Sequence, residues 1–368
     1  MSEFEVQRLG LIMEPEAGNT HEVEGVLNPA AVRGRDGQLY LFPRLVAQGN
    51  YSRIGIARVL FDAFGDPVGV ERLGIALEPE ADCELRADGG GCEDPRITFV
   101  EPLNKYVMTY TAFSRQGPRI AIAISDDLFR WRRLGLATFD PYLDIAFDGV
   151  DNKDASVFPV AIPDTSGFSA MTLIHRPLFP GTRPEETACQ SPLLGMNLER
   201  ASIWISYCRI GEAEHFSHLC HFASHHRVAS PVEAWEQLKI GGGTPPILTR
   251  HGWLMVYHGV NKLTEPSADE GKLSYSAGVM VLSETRPHII RYRATDAVLA
   301  PASAGERRGA VDNVVFPTGV DRRDDLGTPD RIDIYYGMAD SRIGVARLTV
   351  PQDLTLRSIA DRPRRATT

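Results

Sequence analysis

One aspartate in this sequence is a candidate proton donor. Asp94 follows the run GGGCE and precedes Pro95, so a flexible glycine segment leads into a restricted backbone position. A carboxyl group held in this way can act as a general acid if enclosure in a pocket raises its pKa. The competing interpretation is a turn-forming aspartate that bonds its own backbone.

Four basic side chains could surround an anion. Cations gathered around one cavity repel each other unless an anion binds there, and a neutral carbohydrate alone would not need them. Arginine offers a planar fork to oxyanions and lysine a compact charge. The alternative is a set of separate salt bridges to Asp151, Asp154 or Glu236. The four residues are Lys153, Arg176, Lys239 and His258.

Three glycines, residues 241–243, follow closely after Lys239. They superficially suggest a phosphate-binding loop, but the GxxxxGK[ST] spacing of that motif is missing. We expect them instead to allow the backbone to approach the pocket closely.

A repeated unit must position these residues. Five short apolar strand-like segments recur along the chain. They are RIGIARV from residue 53, RIAIAISDD from 119, SIWISYC from 202, SAGVMVLS from 276 and RIGVARLTV from 342. These intervals are too long for a solenoid and suit propeller blades. A second strand-like segment precedes each one, and a third with a polar start lies upstream of that. Helical periodicity is weak throughout.

The repeat predicts an all-β fold, a five-bladed β-propeller over residues 25–350. Residues 1–24 form an N-terminal extension available to complete a blade, and residues 351–368 form a tail. The alternative is an irregular β-sandwich or two all-β domains. In a propeller, the starts of the first strands and the ends of the second strands converge on one mouth. These positions hold Asn28, Arg44, Glu93, Asp94, Arg96, Lys153, Asp154, His175, Arg176, Lys239, His258, Asp312, Asn313 and Asp340.

Composition excludes several classes of partner. The formal net charge of −9 argues against a nucleic-acid partner. No apolar run approaches the roughly 20 residues of a membrane span, and the first residues lack the basic start of a signal peptide. The five cysteines are scattered without CxxC, and the histidines from His215 to His226 match no standard metal site. We therefore expect a cytoplasmic protein without metal or cofactor; homo-oligomerisation is left open.

Taken together, the motifs resemble glycoside hydrolase family 130, five-bladed propellers that include β-mannoside phosphorylases and related β-mannosidases. The similarity runs from about Asn28 to Val350. It rests on EDPRI, NKDASVFP, HRP, WEQLKIGGGTPPI, GWLMVYHGV, DNVVFP and IYYGMAD.

The resemblance implies an inverting phosphorylase that cleaves a β-mannoside. Asp94, in the DPR element, matches the single catalytic acid, which protonates the glycosidic oxygen through a hydroxyl of the mannose. Inorganic phosphate is the co-substrate, attacks from the opposite face and gives α-mannose 1-phosphate. Arg176, Lys239 and His258 fall on phosphate-holding positions, where Lys153 also supplies positive charge. The expected substrate-binding residues are Asn28, Arg44, Arg96, Asp154, His175 and Asp340.

The sequence departs from the best-known mannosylglucose-type members of the family. They carry Arg-Asn where this chain has Lys153-Asp154, a pair that looks more like the branch acting on β-1,2-linked mannosides. The long segment from Phe179 to Leu198 would shape the outer sugar subsite. Two alternatives remain: a β-mannosidase that uses water, with Glu236 or Asp154 as base, and a non-catalytic sugar-binding propeller.

Overall fold

A computed structural model describes residues 3–142, 145–179, 198, 200–211, 216–263, 271–328 and 330–356. In these ranges the chain forms five antiparallel units of four strands each, arranged as the blades of a propeller. The innermost strand of blade one contacts the innermost strands of blades two and five. The predicted all-β, five-bladed fold is confirmed.

Each blade runs from an inner strand to an outer one in chain order. Blade one comprises Gly25–Arg33, Leu39–Ala47, Tyr51–Phe61 and Pro67–Leu77, and blade two Gly90–Val100, Lys105–Ser114, Gly117–Ser125 and Arg132–Leu136. Blade three comprises Asp151–Val157, Ser169–Leu178, Ile203–Arg209 and His221–Ala229, with the short strands Thr138–Phe139 and Ile162–Pro163. In blade four the inner strand is split into Lys239–Gly241 and Ile247–Thr249, followed by Gly252–Lys262, Leu273–Leu282 and Ile290–Arg293. Blade five comprises Val315–Arg322, Arg331–Met338 and Arg342–Thr349, completed by Glu5–Met13.

The N-terminal strand closes the ring. Glu5–Met13 pairs antiparallel with Arg342–Thr349 and becomes the outermost strand of blade five. Joining the two ends of the ring in one sheet fixes the first blade against the last, so the central channel keeps its shape.

Helical structure in the described ranges is limited to single turns. They are the α-helical turn Ala304–Arg307 and the 3₁₀ turns Asp82–Glu84, Glu101–Leu103, Phe216–Cys220, Ala234–Glu236 and Asp324–Leu326. A helix with the length and apolar character needed to cross a membrane is absent from the described part of the chain.

The hydrophobic core is divided among the junctions between blades. Five clusters of buried apolar side chains each lie between two neighbouring blades. Phe42 and Tyr110, for example, belong to the cluster between blades one and two. Because apolar residues fill the junctions between blades, the polar side chains of the inner strands are not needed for the core and can face the centre of the propeller.

The same irregularity occurs in the inner strands of blades one to three. After Leu27, Glu93 and Lys153, two inner-strand residues face one residue of the second strand, which is a β-bulge. The first residue of each bulge has left-handed backbone, with φ of 44° at Asn28, 47° at Asp94 and 57° at Asp154. Asparagine and aspartate tolerate this conformation better than most residues. The repeated bulge explains why short polar side chains occupy the corresponding position of three successive blades.

A buried glutamate anchors blades two, four and five in a common way. Each glutamate accepts backbone N–H groups of its own turn, a tyrosine hydroxyl of the second strand and an arginine of the outer strand. Such networks satisfy a buried carboxylate fully. The sets are Glu84 with Tyr110 and Arg133, Glu236 with Tyr257 and Arg293, and Glu306 with Tyr336 and Arg8.

Candidate active site

Asp94 lies in the bulge of blade two and is held from blade one. Its Oδ1 accepts hydrogen bonds from Asn28 Nδ2 at 2.9 Å and from Arg44 Nη1 at 3.4 Å. The side chain is buried. Both of these contacts come from another blade, which favours a pocket residue over the turn-forming interpretation.

The pKa of Asp94 differs from the sequence-based prediction because of the charges around it. Burial acts to raise its pKa, but the positive charges of Arg44, Arg96 and Lys153 outweigh burial and hold the pKa below its ordinary value. The prediction of a raised pKa is therefore wrong, because enclosure also brought three cations close.

A chain of ion pairs links blades one, two and three around Asp94. Arg44 Nη2 donates to Glu93 Oε1 at 2.9 Å, and Lys153 Nζ lies 3.6 Å from Glu93 Oε2. Arg44 Nε also donates to Ser52 Oγ at 2.9 Å. Glu93 thus sets the positions of two cations, a role that the sequence did not reveal, although Glu93 precedes Asp94 directly.

Asp340 carries the raised pKa in this pocket. It lies just after the second strand of blade five, with left-handed backbone at φ 47°. Burial, reinforced by the negative charges of Asp94 and Glu93, raises the pKa of Asp340 to about 6, although Arg44 and Lys153 act in the opposite direction. The mutual influence of these charges places Asp340 in the same pocket as Asp94.

This arrangement predicts that Asp340 lowers the stability of the unliganded protein at alkaline pH. Folding favours its protonated form, so stability falls as the pH rises from the unfolded pKa of about 4 to the folded pKa of about 6, and the full cost remains at higher pH. Asp340→Asn should raise the free energy of unfolding at pH 8 by on the order of 2 kcal/mol. Urea unfolding of both proteins at pH 8 and pH 4 measures this difference in the free energy of unfolding. If the variant were equally stabilised at pH 4, the raised pKa of Asp340 could not be the cause.

A second group of charges meets around Gly241 in blade four. Arg176 Nε donates to Asp154 Oδ2, and His258 Nε2 lies 3.7 Å from the same oxygen. A β-carbon on Gly241 would lie 2.2 Å from Asp154 Oδ2, 2.4 Å from His258 Cε1 and 2.8 Å from Arg176 Nε. Only glycine leaves room for these three groups, which confirms the close backbone approach predicted for residues 241–243.

Lys239 and His258 complete this group on an aromatic support. Lys239 Nζ lies 5.2 Å from the centre of the Tyr275 ring, and the His258 ring lies 4.4 Å from that of Phe316. Burial, reinforced by the charge of Arg176, lowers the pKa of Lys239 to about 8. Burial also lowers the pKa of His258 to about 3, although Asp154 opposes the shift. At neutral pH, His258 is therefore uncharged.

Arg96 supports the floor of the pocket. Its guanidinium donates to the backbone oxygens of Asp94 at 2.9 Å, Gly243 at 3.0 Å and Gly242 at 3.3 Å. These bonds tie blade two to blade four across the centre. Three of its N–H groups are thus directed at backbone oxygens, and contact between Arg96 and substrate stays a prediction.

His175 lies inside blade three and not in the pocket. Its Nε2 is 2.8 Å from Ser206 Oγ, its Nδ1 is 3.0 Å from Asn152 Nδ2, and its ring stacks on Phe139 at 4.8 Å. Neighbouring side chains of a strand point to opposite faces, so the residue before Arg176 faces away from the site. The placement of His175 among the substrate-binding residues is corrected.

The two polar neighbours at the entry to blade five, Asp312 and Asn313, differ in burial and backbone geometry. The partly exposed Asp312 carboxylate lies 3.1 Å from Lys272 Nζ and 3.2 Å from Arg308 Nη1. Asn313 is buried with left-handed backbone at φ 59°, as at the bulges of blades one to three. Its backbone oxygen accepts from the N–H of Tyr275 at 2.9 Å. The DNVVFP motif contains both residues, but only the structure shows that Asp312 and Asn313 differ in backbone geometry.

Glu236 is unsuited to act as a base. It is fully buried, and its Oε2 accepts from the Tyr257 hydroxyl at 2.7 Å while Oε1 accepts from Arg293 and two backbone N–H groups. It serves the anchoring network of blade four. Two other sequence expectations fall outside the described residues: the one on His215, and, for residues 180–197, the one on the segment from Phe179 to Leu198 that would shape the outer sugar subsite.

Tyr275 and Phe316 are site residues that the sequence did not indicate. Both occur in apolar strand segments, where an aromatic residue is more often part of the core. Their position beside a lysine and a neutral histidine became visible only once blades four and five were brought together.

Comparison with known proteins identifies the family. The sequence model of glycoside hydrolase family 130, described as beta-1,4-mannooligosaccharide phosphorylase, matches residues 5–356. A 1,2-beta-oligomannan phosphorylase of Thermoanaerobacter sp. (strain X514) is 29% identical over 344 residues, covering 92% of this chain and 94% of the relative. A beta-1,4-mannooligosaccharide phosphorylase of Ruminococcus albus is 37% identical over 130 residues, 35% of this chain and 36% of the relative.

A solved structure supports the same fold. The beta-1,2-mannobiose phosphorylase of Listeria innocua, in complex with beta-1,2-mannobiose, superposes with a TM-score of 0.66 at 20% identity, covering 94% of this chain and 97% of the other. With a family model that spans nearly the whole chain and a propeller that assembles the matching motifs, the chain belongs to glycoside hydrolase family 130.

Proposed function

We propose that the protein is an inverting β-mannoside phosphorylase that cleaves its substrate with inorganic phosphate and releases α-mannose 1-phosphate. The observation that carries this proposal is the pairing of one pocket carboxylate, Asp94, with the separate basic group of Arg176, Lys239 and His258 around Gly241. The first can supply a proton and the second can hold an anionic nucleophile.

The basic group favours phosphate over water as the nucleophile. An inverting hydrolase needs a second carboxylate to activate water. Glu236 is locked in a structural network, and Asp154 is ion-paired with Arg176. Phosphate is already anionic at neutral pH and needs a cationic cradle in place of a base. The β-mannosidase alternative is therefore not favoured, and the ordered acid site also speaks against a purely binding role.

Phosphate binding can prepare Asp94 for proton transfer. In the unliganded pocket the charge of Lys153 contributes to the low pKa of Asp94. An anion bound near Lys153 would offset this charge, and a bound sugar would displace water, so both would raise the pKa of Asp94. The acid would then become protonated mainly when both substrates are present, which limits wasteful hydrolysis.

We propose a β-1,2-linked mannoside as substrate. The Lys153-Asp154 pair supports this choice, as do the names of the Thermoanaerobacter and Listeria proteins. A cytoplasmic setting agrees with the free thiols of Cys83, Cys92, Cys208 and Cys220 among the described residues. It also suits a charged sugar phosphate, which cannot cross a membrane unaided.

Turnover with two disaccharides tests the proposal. Purified protein should release mannose 1-phosphate from β-1,2-mannobiose, and only when phosphate is present. β-1,4-Mannobiose is the comparison substrate that tests the linkage. Equal release of free mannose without phosphate would favour the hydrolase. Turnover of β-1,4-mannobiose alone would overturn the linkage but leave phosphorolysis in place.

Lys239 should control phosphate affinity in a pH-dependent way. Lys239→Ala should raise the phosphate KM by about tenfold or more, the scale of one charge-assisted contact. Because the pKa of Lys239 is about 8, phosphate KM should rise in the parent enzyme above pH 8 as this cation is lost. Lys239→Arg should flatten the rise, and the exposed Lys272→Ala serves as control. A phosphate KM unchanged in Lys239→Ala would remove Lys239 from the anion site.

A further inference from the structure

We propose that Asp154 makes the anion site selective for oxyanions that carry a hydroxyl group, such as phosphate and arsenate, over fully deprotonated ones such as sulfate. This inference rests on the proposed function, since it assigns a specificity-determining role within the same anion site.

The argument begins with the position of the carboxylate. Asp154 is 2% exposed and lies between Arg176, which donates to its Oδ2, and the neutral ring of His258, whose Nε2 is 3.7 Å from the same oxygen. Its other oxygen, Oδ1, lies 3.9 Å from Arg96 Nη2, beyond hydrogen-bond distance. A carboxylate so placed faces any anion that binds Arg176.

The charges around Asp154 keep it ionised. Burial acts to raise its pKa, but the positive charges of Arg176 and Arg96 and the hydrogen bond from Arg176 act against burial, and the pKa lies below its ordinary range. An ionised carboxylate only accepts hydrogen bonds. It would therefore repel an oxygen of sulfate, which has no proton to offer at neutral pH. Phosphate retains at least one P–OH group at neutral pH and can donate it to the carboxylate.

The neighbouring histidine supports the same conclusion independently. His258 is almost fully buried, and its Nδ1 has no hydrogen-bond partner among the residues that the structure describes. In a neutral imidazole one ring nitrogen is an acceptor. Two acceptors, the Asp154 carboxylate and an imidazole nitrogen, then border a site that also holds cationic donors. An anion that carries a hydroxyl group can accept from the cations and donate to an acceptor.

Gly241 brings these groups within reach of one ligand. The site of its absent β-carbon lies within 2.8 Å of atoms from Asp154, His258 and Arg176. The three side chains therefore converge on one point, and a tetrahedral anion beside it could contact cationic donors and the carboxylate together.

Direct anion binding tests the inference. Titration calorimetry with phosphate, arsenate and sulfate at pH 7, without mannoside, should show sulfate binding at least about 30-fold more weakly than phosphate, the scale of a lost hydrogen bond to a charged group. Arsenate should follow phosphate. Asp154→Asn should reduce the phosphate-to-sulfate ratio by about tenfold or more, because an amide can donate as well as accept.

Lys239→Ala provides the matched control, since it should weaken both anions and leave their ratio unchanged. Equal binding of sulfate and phosphate by the parent protein would overturn the inference, as would an unchanged ratio in a folded Asp154→Asn variant. If phosphorolysis proceeds without anion selectivity, only this inference fails. If phosphate is bound selectively but no mannoside is cleaved, only the proposed function fails, and if neither anion binds, both fail.

Discussion

Asp94→Asn should reduce phosphorolysis by at least about 1000-fold, within the range that general acid catalysis contributes. The carboxyl is the only candidate acid in contact with Asn28 and Arg44 from blade one in the described pocket. Asparagine preserves its shape and tolerates the left-handed backbone at φ 47°. The free energy of unfolding should change by no more than about 1 kcal/mol.

The neighbourhood of Asp94 explains this small expected effect on stability. Asn28 Oδ1 has no hydrogen-bond partner among the described residues, so rotation of its amide could pair it with the new side chain. Initial rates and urea unfolding of the same preparation measure both effects. Asp312→Asn, which changes the ion pairs with Lys272 and Arg308, is the control and should retain full activity. A large loss of stability with residual turnover would support the turn-forming interpretation of Asp94 instead.

Arg176→Ala should have the largest effect on stability, in addition to loss of phosphate affinity. It removes the hydrogen-bonded ion-pair partner of Asp154 and leaves the buried carboxylate with only Arg96, at 3.9 Å, as a nearby cation among the described residues. Breaking a buried ion pair in this way costs about 3 kcal/mol or more. The exposed pair of Arg58 and Glu71 gives a matched control, since Arg58→Ala should cost under about 1 kcal/mol.

A second substitution separates the two roles of Arg176. Adding Asp154→Asn to the Arg176→Ala protein removes the orphaned charge, so urea unfolding should show that most of the lost stability returns. Phosphate affinity should not return, because the cation is still missing. Recovery of both quantities together would contradict the account, since it would mean that Arg176 acts on phosphate only through the fold.

The sequence predicted the fold, and it predicted which polar positions the blades bring together, because the repeat imposes both. Five copies of one strand pattern fix the number of blades, and their polar ends converge for topological reasons. The outer strands were harder to see, since half-exposed segments such as Arg132–Leu136 lack strong apolar alternation. The role of Glu5–Met13 depends on a partner strand more than 300 residues away.

The errors arose where a motif lists neighbours but not their directions. His175 and Arg176 are adjacent in HRP, yet strand alternation sends one into the blade and the other into the pocket. The bonds from Arg96 to blade four could not be foreseen from its motif, because they depend on how closely the backbone of Gly242 and Gly243 approaches blade two. The low pKa of Asp94 could not be foreseen either, because it depends on cations contributed by three blades.

Isotope tracing tests most directly the claim that phosphate is the nucleophile. Incubation with β-1,2-mannobiose and ¹⁸O-labelled phosphate, followed by ³¹P NMR and mass spectrometry, reports the origin of the oxygen on the anomeric carbon. We expect α-mannose 1-phosphate that retains every phosphate oxygen label, including the bridging one. Free mannose carrying solvent oxygen, with no labelled sugar phosphate, would contradict the account.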